Sequence, residues 1–185
     1  MVIKEKAKGV SVYGDGPGAL SINRHTLSVL VDNEPGVLAR VIGLFSGRGY
    51  NIESLTVAEV SKSLNQSRMT IVVHGTPSVI EQIKHLLERL VPVHTVNDLT
   101  EEGPHVEREL ALIKVVGTGD QRIEALRSAN IFRARVVDST QESFVFEVTG
   151  STEKVDAFIE LMGPLGMVNI SRTGAAAISR GPDKI

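Results

Sequence analysis

The feature of this sequence that most constrains its fold is an internal repeat. The stretch MTIVVHGTPSVIEQIKHLLERL is matched by FVFEVTGSTEKVDAFIELMGPL when the two are aligned on Gly75 and Gly150. In both copies the apolar residues that follow keep the spacing of one helical face. The aligned pairs are Ile80 and Val155, Ile83 and Phe158, Leu86 and Leu161, Leu87 and Met162, and Leu90 and Leu165. Because the whole apolar stripe is retained, we interpret the chain as a duplicated fold.

Each copy predicts the same order of elements. In the first copy HTLSVLVD alternates like a half-buried strand, an Asn-Glu-Pro-Gly turn ends it, and a helix with one apolar face follows. Two strands, a second helix and a last strand complete a βαββαβ unit, which the second copy repeats. The predicted fold class is α+β, with two ferredoxin-like sandwiches in tandem. Because helices cover only one face of each sheet, we expect a homodimer.

The expected domain boundaries follow these patterns. Residues 1–23 predict a flexible leader, since their GDGPGA stretch has the glycine spacing of a dinucleotide loop without the strand and helix that such a loop needs. The first domain is expected at residues 24–100 and the second at 108–181. Residues 101–107 predict a linker, because a glycine and a proline interrupt the strand pattern. The acidic residues of this linker are expected to lie in water: Glu101, Glu102 and Glu107.

The composition argues against several classes of function. The 185 residues carry a formal net charge of -2 with both signs mixed, so no basic field is available for nucleic acid or an anionic membrane. The absence of cysteine excludes disulfides and thiolate chemistry and suits a reducing compartment. No apolar run reaches the roughly 18 residues of a membrane helix. We predict a cytoplasmic protein that binds neither nucleic acid nor membrane.

No group of side chains in the sequence predicts catalysis or a metal site. The five histidines are scattered and share no metal-ligand spacing. Ser139, Thr140 and residues 171–174 lack an adjacent base that would activate a hydroxyl. We therefore predict no catalytic residue and no metal ligand.

The turn and helix at residues 33–52 form the most specific functional pattern. The first amides of a helix lack partners and lie at the positive end of its dipole, so a carboxylate can bind there. Gly36 has no side chain to block that approach. Asn33 can accept from an ammonium group, and Asn51 can supply a second polar contact. The apolar lining of this niche, which suits a small zwitterion with an aliphatic side chain, is predicted as Val37, Leu38 and Ile52.

A structural interpretation of the same residues stays open. Asn33 can cap the helix while Pro35 and Gly36 make a tight turn. The second copy has Gly-Thr-Gly-Asp at the equivalent turn, and the repeat pairs Asn51 with Arg133. The asparagines are therefore not needed by the fold itself.

Several stretches together resemble one known family. HTLSVLVDNEPGVLARVIGLFSGRGYNIESLTV, SRMTIVV, HVERELALIKV and the late ISRTG and ISRG motifs are similar to the small regulatory subunits of acetohydroxyacid synthase (AHAS), also called acetolactate synthase. The first half of such a subunit is an ACT domain. The resemblance runs from about residue 24 to residue 181.

This resemblance implies an effector site. In that family the feedback inhibitor valine binds where two ACT domains meet, through the asparagine and glycine of the turn and the asparagine of the Gly-Tyr-Asn-Ile step. The effector-binding residues that the resemblance implies here are Asn33, Pro35, Gly36, Val37, Leu38, Asn51 and Ile52.

The resemblance also implies partners. Such a subunit has no active site and associates with a catalytic large subunit, which holds thiamine diphosphate, FAD and magnesium. It raises the activity of that partner and makes it sensitive to valine. No cofactor is expected on this chain.

Two other functions remain as alternatives. A small stand-alone hydrolase of the acylphosphatase type would polarise a phosphoryl group with an arginine and an asparagine, but the basic phosphate loop is missing. An RNA-binding module of the same topology would need exposed aromatic pairs for base stacking, and aromatic residues make up only 4% of the chain.

Overall fold

The computed structural model describes residues 21–182, so the first 20 residues of the predicted leader lie outside it. The strands are β1 (Asn23–Asp32), β2 (Ile52–Ser61), β3 (Gln66–Gly75), β4 (Val93–Asp98), β5 (His105–Val116), β6 (Arg135–Ser139), β7 (Ser143–Gly150), β8 (Met167–Arg172) and β9 (Ala176–Ser179). The helices are α1 (Val37–Ser46), α2 (Pro77–Glu88), α3 (Leu99–Glu102), α4 (Gly119–Ile131) and α5 (Thr152–Met162), followed by a 3₁₀ turn at Gly163–Leu165.

Two antiparallel sheets share one strand order. The first sheet has the order β2-β3-β1-β4 and the second has the order β6-β7-β5-β8, with β9 paired to β5 outside that path. Helices α1 and α2 pack on one face of the first sheet, and α4 and α5 pack on one face of the second. Both halves are ferredoxin-like sandwiches, so the predicted fold class is confirmed.

Equivalent positions of the two halves build the two cores. Side chains alternate along a strand, so every second residue of β1 and of β5 faces the helices. The helix stripes that the repeat predicts are buried as well, and each of these residues is at most 1% exposed: Ile80, Ile83, Leu87, Val155, Phe158 and Met162. Each such side chain stabilises the fold by roughly 1.5–3 kcal/mol. The repeat in the sequence is therefore a repeat of the core.

The structure corrects the pairing of Asn51 with Arg133 by two residues. At the end of the first helix of each half, one amide donates to the carbonyl five residues back, from Tyr50 at 3.0 Å and from Ala134 at 2.8 Å. Tyr50 is therefore equivalent to Ala134, and the residue after it, Asn51, is equivalent to Arg135. The apolar pattern did not fix this register because a short loop separates the helix from the strand.

The sequence pattern does not predict two elements, the one-turn helix α3 and the last strand β9. β9 pairs with the first residues of β5, from His105 with Ser179 to Arg108 with Ala176. Residues 101–107, predicted as a linker, contain the end of α3 and the start of β5. In the part of the chain that the structure describes, no helix has the length and apolar character needed to span a membrane.

Candidate functional site

The turn between β1 and α1 leaves backbone donors free. Gly36 precedes the helix at φ 87°, in the left-handed region that glycine adopts without strain. Within residues 21–182, no side chain caps α1 and its first turn has no acidic residue. The amide of Val37 donates to the Glu34 carbonyl at 3.4 Å, whereas those of Leu38 and Ala39 have no acceptor in the described chain. This helix start therefore offers unpaired N–H groups and a positive dipole end to an anion.

Asn33 is not the cap of this helix. Its backbone amide donates to the Asn65 carbonyl at 2.7 Å, which fixes the turn against the loop between β2 and β3. Its side chain is exposed and has no hydrogen-bond partner among the residues that the structure describes. The capping interpretation of Asn33 is therefore wrong, whereas the predicted tight turn at Pro35 and Gly36 is present.

The space above the turn is open. A Cβ atom added to Gly36 would meet nothing within 4 Å. Pro35 is exposed, and the Leu38 side chain is 40% exposed. Val37 is only 3% exposed and belongs to the core, so almost none of its side chain is accessible in a single copy of the chain. A ligand that reaches this turn would meet backbone amides, Asn33 and Leu38.

The second asparagine lies at the opposite end of the first sheet. β1 and β2 both run antiparallel to β3, so they are parallel to each other. The end of β1 pairs with Gln66, whereas the start of β2 pairs with Val73, near the other end of β3. The ten residues of α1 between them span about 15 Å. One copy of the chain therefore does not bring Asn33 together with Asn51 and Ile52.

The edge of the first sheet has an apolar surface. β2 is the outermost strand of that sheet, and α1 lies on the adjacent face. Four large apolar side chains of these two elements are between 37% and 53% exposed: Leu38, Ile42, Val57 and Val60. An edge strand with unpaired backbone groups and exposed apolar side chains is typical of a surface that pairs with another chain.

One cluster of three side chains has residue types that can bind a metal ion, although the sequence predicts no metal site. The donor atoms of His25, Asp98 and Glu101 lie within 4.8 Å of one another. His25 and Asp98 are both buried, and His25 Nδ1 lies 2.7 Å from Asp98 Oδ2. The other Asp98 oxygen accepts from the Thr100 amide at 3.0 Å and so caps α3. Both carboxylate oxygens of Asp98 are therefore already bonded within the protein.

An ion pair that the sequence analysis missed joins the two halves. Both terminal nitrogens of Arg24, in β1, bond the Glu107 carboxylate in β5, and the Nη1 to Oε2 distance is 3.1 Å. The hydroxyls of Thr26 and Thr152 donate to the same carboxylate at 3.0 and 3.1 Å. Arg24 also reaches Glu53 in β2 at 3.3 Å. A single acidic group thus binds side chains from both sandwiches.

Glu107 is therefore not the solvated linker residue that was expected. Its side chain is only 12% exposed. Burial raises the pKa of Glu107, but the hydrogen bonds and charge of Arg24, with those of Thr26 and Thr152, bring that pKa below its ordinary value. The carboxylate is held in its charged form at the contact between the halves.

A second ion pair fixes the end of β8. Arg172 Nε and Nη2 donate to the two oxygens of Glu109 at 2.6 and 2.8 Å, and Nη1 lies 2.7 Å from Asp156. These bonds raise the pKa of Arg172 above its already high value. The sequence carried a signal for this pair, since Glu109 shares its strand face with the buried Ala111 and Ile113. A charge in such a pattern needs a partner.

The first half of the chain defines the class of protein. Residues 27–95 match the family described as "AHAS small subunit-like ACT domain". The free amides, the left-handed glycine and the exposed asparagine after β1 lie inside that match. The chain is therefore an ACT-domain protein, with a second sandwich of the same topology attached.

Comparison of the whole chain narrows the class. Residues 108–181 match the family described as "Small subunit of acetolactate synthase". The "Probable acetolactate synthase small subunit" of Archaeoglobus fulgidus is 50% identical over 161 residues, which cover 87% of this chain and 99% of that protein. The acetolactate synthase small subunit of Aquifex aeolicus is 48% identical over 160 residues, 86% of this chain and 82% of that protein.

A solved structure agrees with these relatives. The crystal structure of the acetolactate synthase small subunit from Thermotoga maritima matches with a TM-score of 0.78 and 40% identity, over 88% of this chain and 100% of that one. The protein belongs to the acetolactate synthase small-subunit family. The resemblance inferred from the sequence is confirmed, and family membership with an ACT domain supports a regulatory role.

Proposed function

We propose that this chain is the regulatory subunit of acetolactate synthase in branched-chain amino acid biosynthesis, and that it binds valine for feedback inhibition. The observation that carries the proposal is the start of α1, where free amides meet an open approach over Gly36 and no acidic side chain of the described first turn competes for them. A carboxylate bound there satisfies donors that otherwise bond only water. A cationic ligand would gain nothing at this position.

The same ligand needs an acceptor for its ammonium group. In an α-amino acid both charged groups are attached to one carbon, so the contacts to both must converge within a few ångströms. The exposed amide side chain of Asn33 can accept from the ammonium while the helix amides donate to the carboxylate. Leu38 supplies an apolar contact for a short aliphatic side chain. Micromolar to millimolar affinity, about 4–8 kcal/mol, is within reach of such a site.

The role of Asn51 requires a second copy of the chain. If two β2 edges pair antiparallel about a two-fold axis, the start of one β2 lies beside the end of the other. The end of β2 and the end of β1 both pair with Gln66, so they share one end of the sheet. Asn51 and Ile52 of one copy then come to the end of the sheet at which the partner's turn between β1 and α1 lies. We propose a homodimer with two equivalent sites, each built from both subunits.

The roles that we propose for the two subunits are those that the family resemblance implies. The chain carries no catalytic residue and no cofactor, and it activates a catalytic large subunit that holds thiamine diphosphate, FAD and magnesium. Valine must favour one arrangement of the dimer over another, since equal binding to both would regulate nothing. We place the complex in the cytoplasm, with the ACT domain at residues 24–100 and the second domain at 108–181.

Mixed dimers test the shared site. Asn33→Ala and Asn51→Ala are each expected to lose valine affinity when purified alone. When equal amounts are co-assembled, half of the dimers carry one copy of each variant. In such a dimer one site lacks both asparagines and the other has both, so about a quarter of all sites should regain the wild-type affinity. Calorimetric titration with valine would measure that fraction directly.

Two results would contradict the proposal. If no site regains affinity in the mixture, the two asparagines do not act across subunits. If the wild-type chain is monomeric at micromolar concentration, or leaves a purified catalytic subunit unaffected by valine, the regulatory function itself fails. The matched control is the mixture of each variant with itself, taken through the same assembly procedure.

A further inference from the structure

A short segment of the second half lies on the open face of the first sheet. This segment, Arg172–Ala175, runs from the last residue of β8 to the residue before β9 and is called the docking segment below. The amide of Ala175 donates to Ser54 Oγ at 3.0 Å, and Thr56 Oγ1 donates to the Thr173 carbonyl at 3.2 Å. Ser54 and Thr56 project from the face of β2 opposite α1 and α2, because side chains alternate along a strand. Ala175 is 1% exposed.

Gly174 permits the close approach of the docking segment to β2. Its φ is 79°, and an ideal Cβ atom at this position would lie 2.5 Å from Ser54 Oγ and 3.0 Å from Thr56 Oγ1. A side chain here would force Ser54 to rotate, and its hydroxyl would no longer accept from the Ala175 amide. Glycine is therefore required both by the backbone conformation and by the distance.

The docking segment is fixed firmly to the second half. Its first residue, Arg172, bonds the carboxylates of Glu109 and Asp156. Just after the segment, β9 pairs with the start of β5. The segment therefore moves with the second sandwich, and its two hydrogen bonds join that sandwich to β2.

The contact lies close to the proposed effector site. Asn51 immediately precedes β2, and Ser54 is three residues further along, about 10 Å for an extended strand. Glu53, between them, pairs with Arg24 and with His74 of the neighbouring strand. The first residues of β2 thus adjoin Asn51 of the proposed effector site at one end and contact the docking segment at the other.

We infer that the docking segment couples the valine site to the second half of the chain: valine orders the start of β2, and an ordered β2 favours the docked segment. This inference rests on the proposed valine site at Asn51. Coupling of two binding events is reciprocal, so whatever valine contributes to docking, docking contributes to valine affinity. A substitution in the segment therefore weakens valine binding although none of its atoms touches the ligand.

The test compares two glycine substitutions in the full-length dimer. Gly174→Ala adds a methyl group against Ser54. Gly119→Ala is the matched control, because Gly119 is also left-handed, at φ 57°, and a Cβ there meets nothing within 4 Å. Calorimetry is expected to show a loss of valine affinity of about fivefold or more for Gly174→Ala, in the range typical of allosteric coupling, and none for Gly119→Ala. Equal affinity in the two variants would overturn the inference.

If Gly174→Ala folds poorly, a second variant and a second measurement can still test the coupling. Ser54→Ala removes the acceptor of the Ala175 amide without adding bulk, and a smaller loss of valine affinity is expected. Hydrogen exchange without valine should be faster than in the wild type at residues 52–56 and 172–176 in both variants. Unchanged exchange would show that the segment does not hold β2.

The two proposals fail in different ways. If valine protects residues 33–38 and 51 of the wild type from exchange but leaves residues 172–176 unchanged, the valine site stands and the coupling is wrong. If valine protects no residue of the wild type, the proposed function is wrong and the effector-linked part of this inference falls with it. The exchange measured without valine still decides whether docking occurs.

Discussion

The first helices of the two halves both begin at or beside a left-handed glycine, but the chemistry of the two starts differs. α1 follows the left-handed Gly36, and its first turn has no acidic residue in the described chain. α4 follows Thr118, includes the left-handed Gly119 and has Asp120 in its first turn. A carboxylate in the first turn interacts favourably with the positive end of the helix dipole. The second helix start is therefore compensated by its own side chain, whereas the first is available to a ligand.

The residues around α4 strengthen this contrast. Arg122, near the start of α4, donates to the Thr140 carbonyl at 2.7 Å and lies 3.7 Å above the Phe144 ring. These contacts join the helix start to the hairpin of β6 and β7. The repeat thus keeps the same core in both halves, and the difference between them separates what the fold needs from what a ligand needs.

The largest expected effect is on the stability of the second half, where the charged side chains bind one another and not a ligand. Arg172→Ala leaves the Glu109 carboxylate, whose side chain is 4% exposed, without its partner. We expect a loss of about 3 kcal/mol in the free energy of unfolding, the low end for a broken buried pair because Arg172 is itself partly exposed. Urea denaturation measures this loss. Arg127→Ala, which breaks only an exposed pair with Glu124, should cost less than about 0.5 kcal/mol.

The next largest effect is on valine affinity and tests the difference between the starts of α1 and α4. Gly36→Asp places a carboxylate where the carboxylate of valine is proposed to bind, and we expect valine affinity to fall at least a hundredfold, about 2.7 kcal/mol. Gly119→Asp makes the same change at a left-handed and equally open glycine of the second half and should leave affinity unchanged. Calorimetry compares the two variants, and circular dichroism checks their folds. A Gly36→Asp variant that binds valine normally would refute the placement.

A smaller effect is expected at the asparagines. Asn33→Ala and Asn51→Ala should each weaken valine binding by about 1–3 kcal/mol, the usual cost of leaving a polar group of the complex unpaired. Asn169→Ala, at an exposed position of β8 in the second half, serves as the control. Inhibition of the catalytic subunit at increasing valine concentration measures the change. A residue whose loss leaves the valine sensitivity unchanged does not contact the effector.

The smallest effect concerns the contact between the halves and depends on pH. The pKa of Glu107 in the folded protein lies below its ordinary value of 4.5, so its stabilising contribution is present above about pH 4.5 and is lost as the pH falls through the lowered pKa. We expect a loss of about 1–2 kcal/mol from this group in acid. Between about pH 6 and pH 3 the stability of Glu107→Gln should therefore fall less than that of the wild type. Parallel losses in both proteins would contradict this assignment.

The fold was predictable because its determinants are local and repeated. The stripe from Ile80 to Leu87 and the stripe from Val155 to Met162 specify helices that bury one face, and the alternation in β1 specifies a strand. The short elements were not predictable in this way. The single turn of α3 and the four residues of β9 carry too few apolar positions to show a period, and β9 is stabilised by pairing with β5, which lies about seventy residues earlier.

The candidate site was predictable in its chemistry but not in its geometry. The sequence indicated a helix start with free amides, a glycine that leaves the approach open, and polar side chains at Asn33 and Asn51. It did not show that Val37 is buried or that the two asparagines lie at opposite ends of one sheet. Those facts depend on the direction of β1, α1 and β2 in the fold.

By itself the sequence determined the duplicated α+β fold, the family and the residues of the first turn, because periodicity and turn chemistry act over a few neighbouring residues. Only the tertiary structure decided which residues meet across long separations. The pairing of Arg24 with Glu107, the partners of Arg172 and the approach of Gly174 to Ser54 join residues that lie far apart in the chain. Such contacts depend on how the two sandwiches pack, and no local pattern encodes that arrangement.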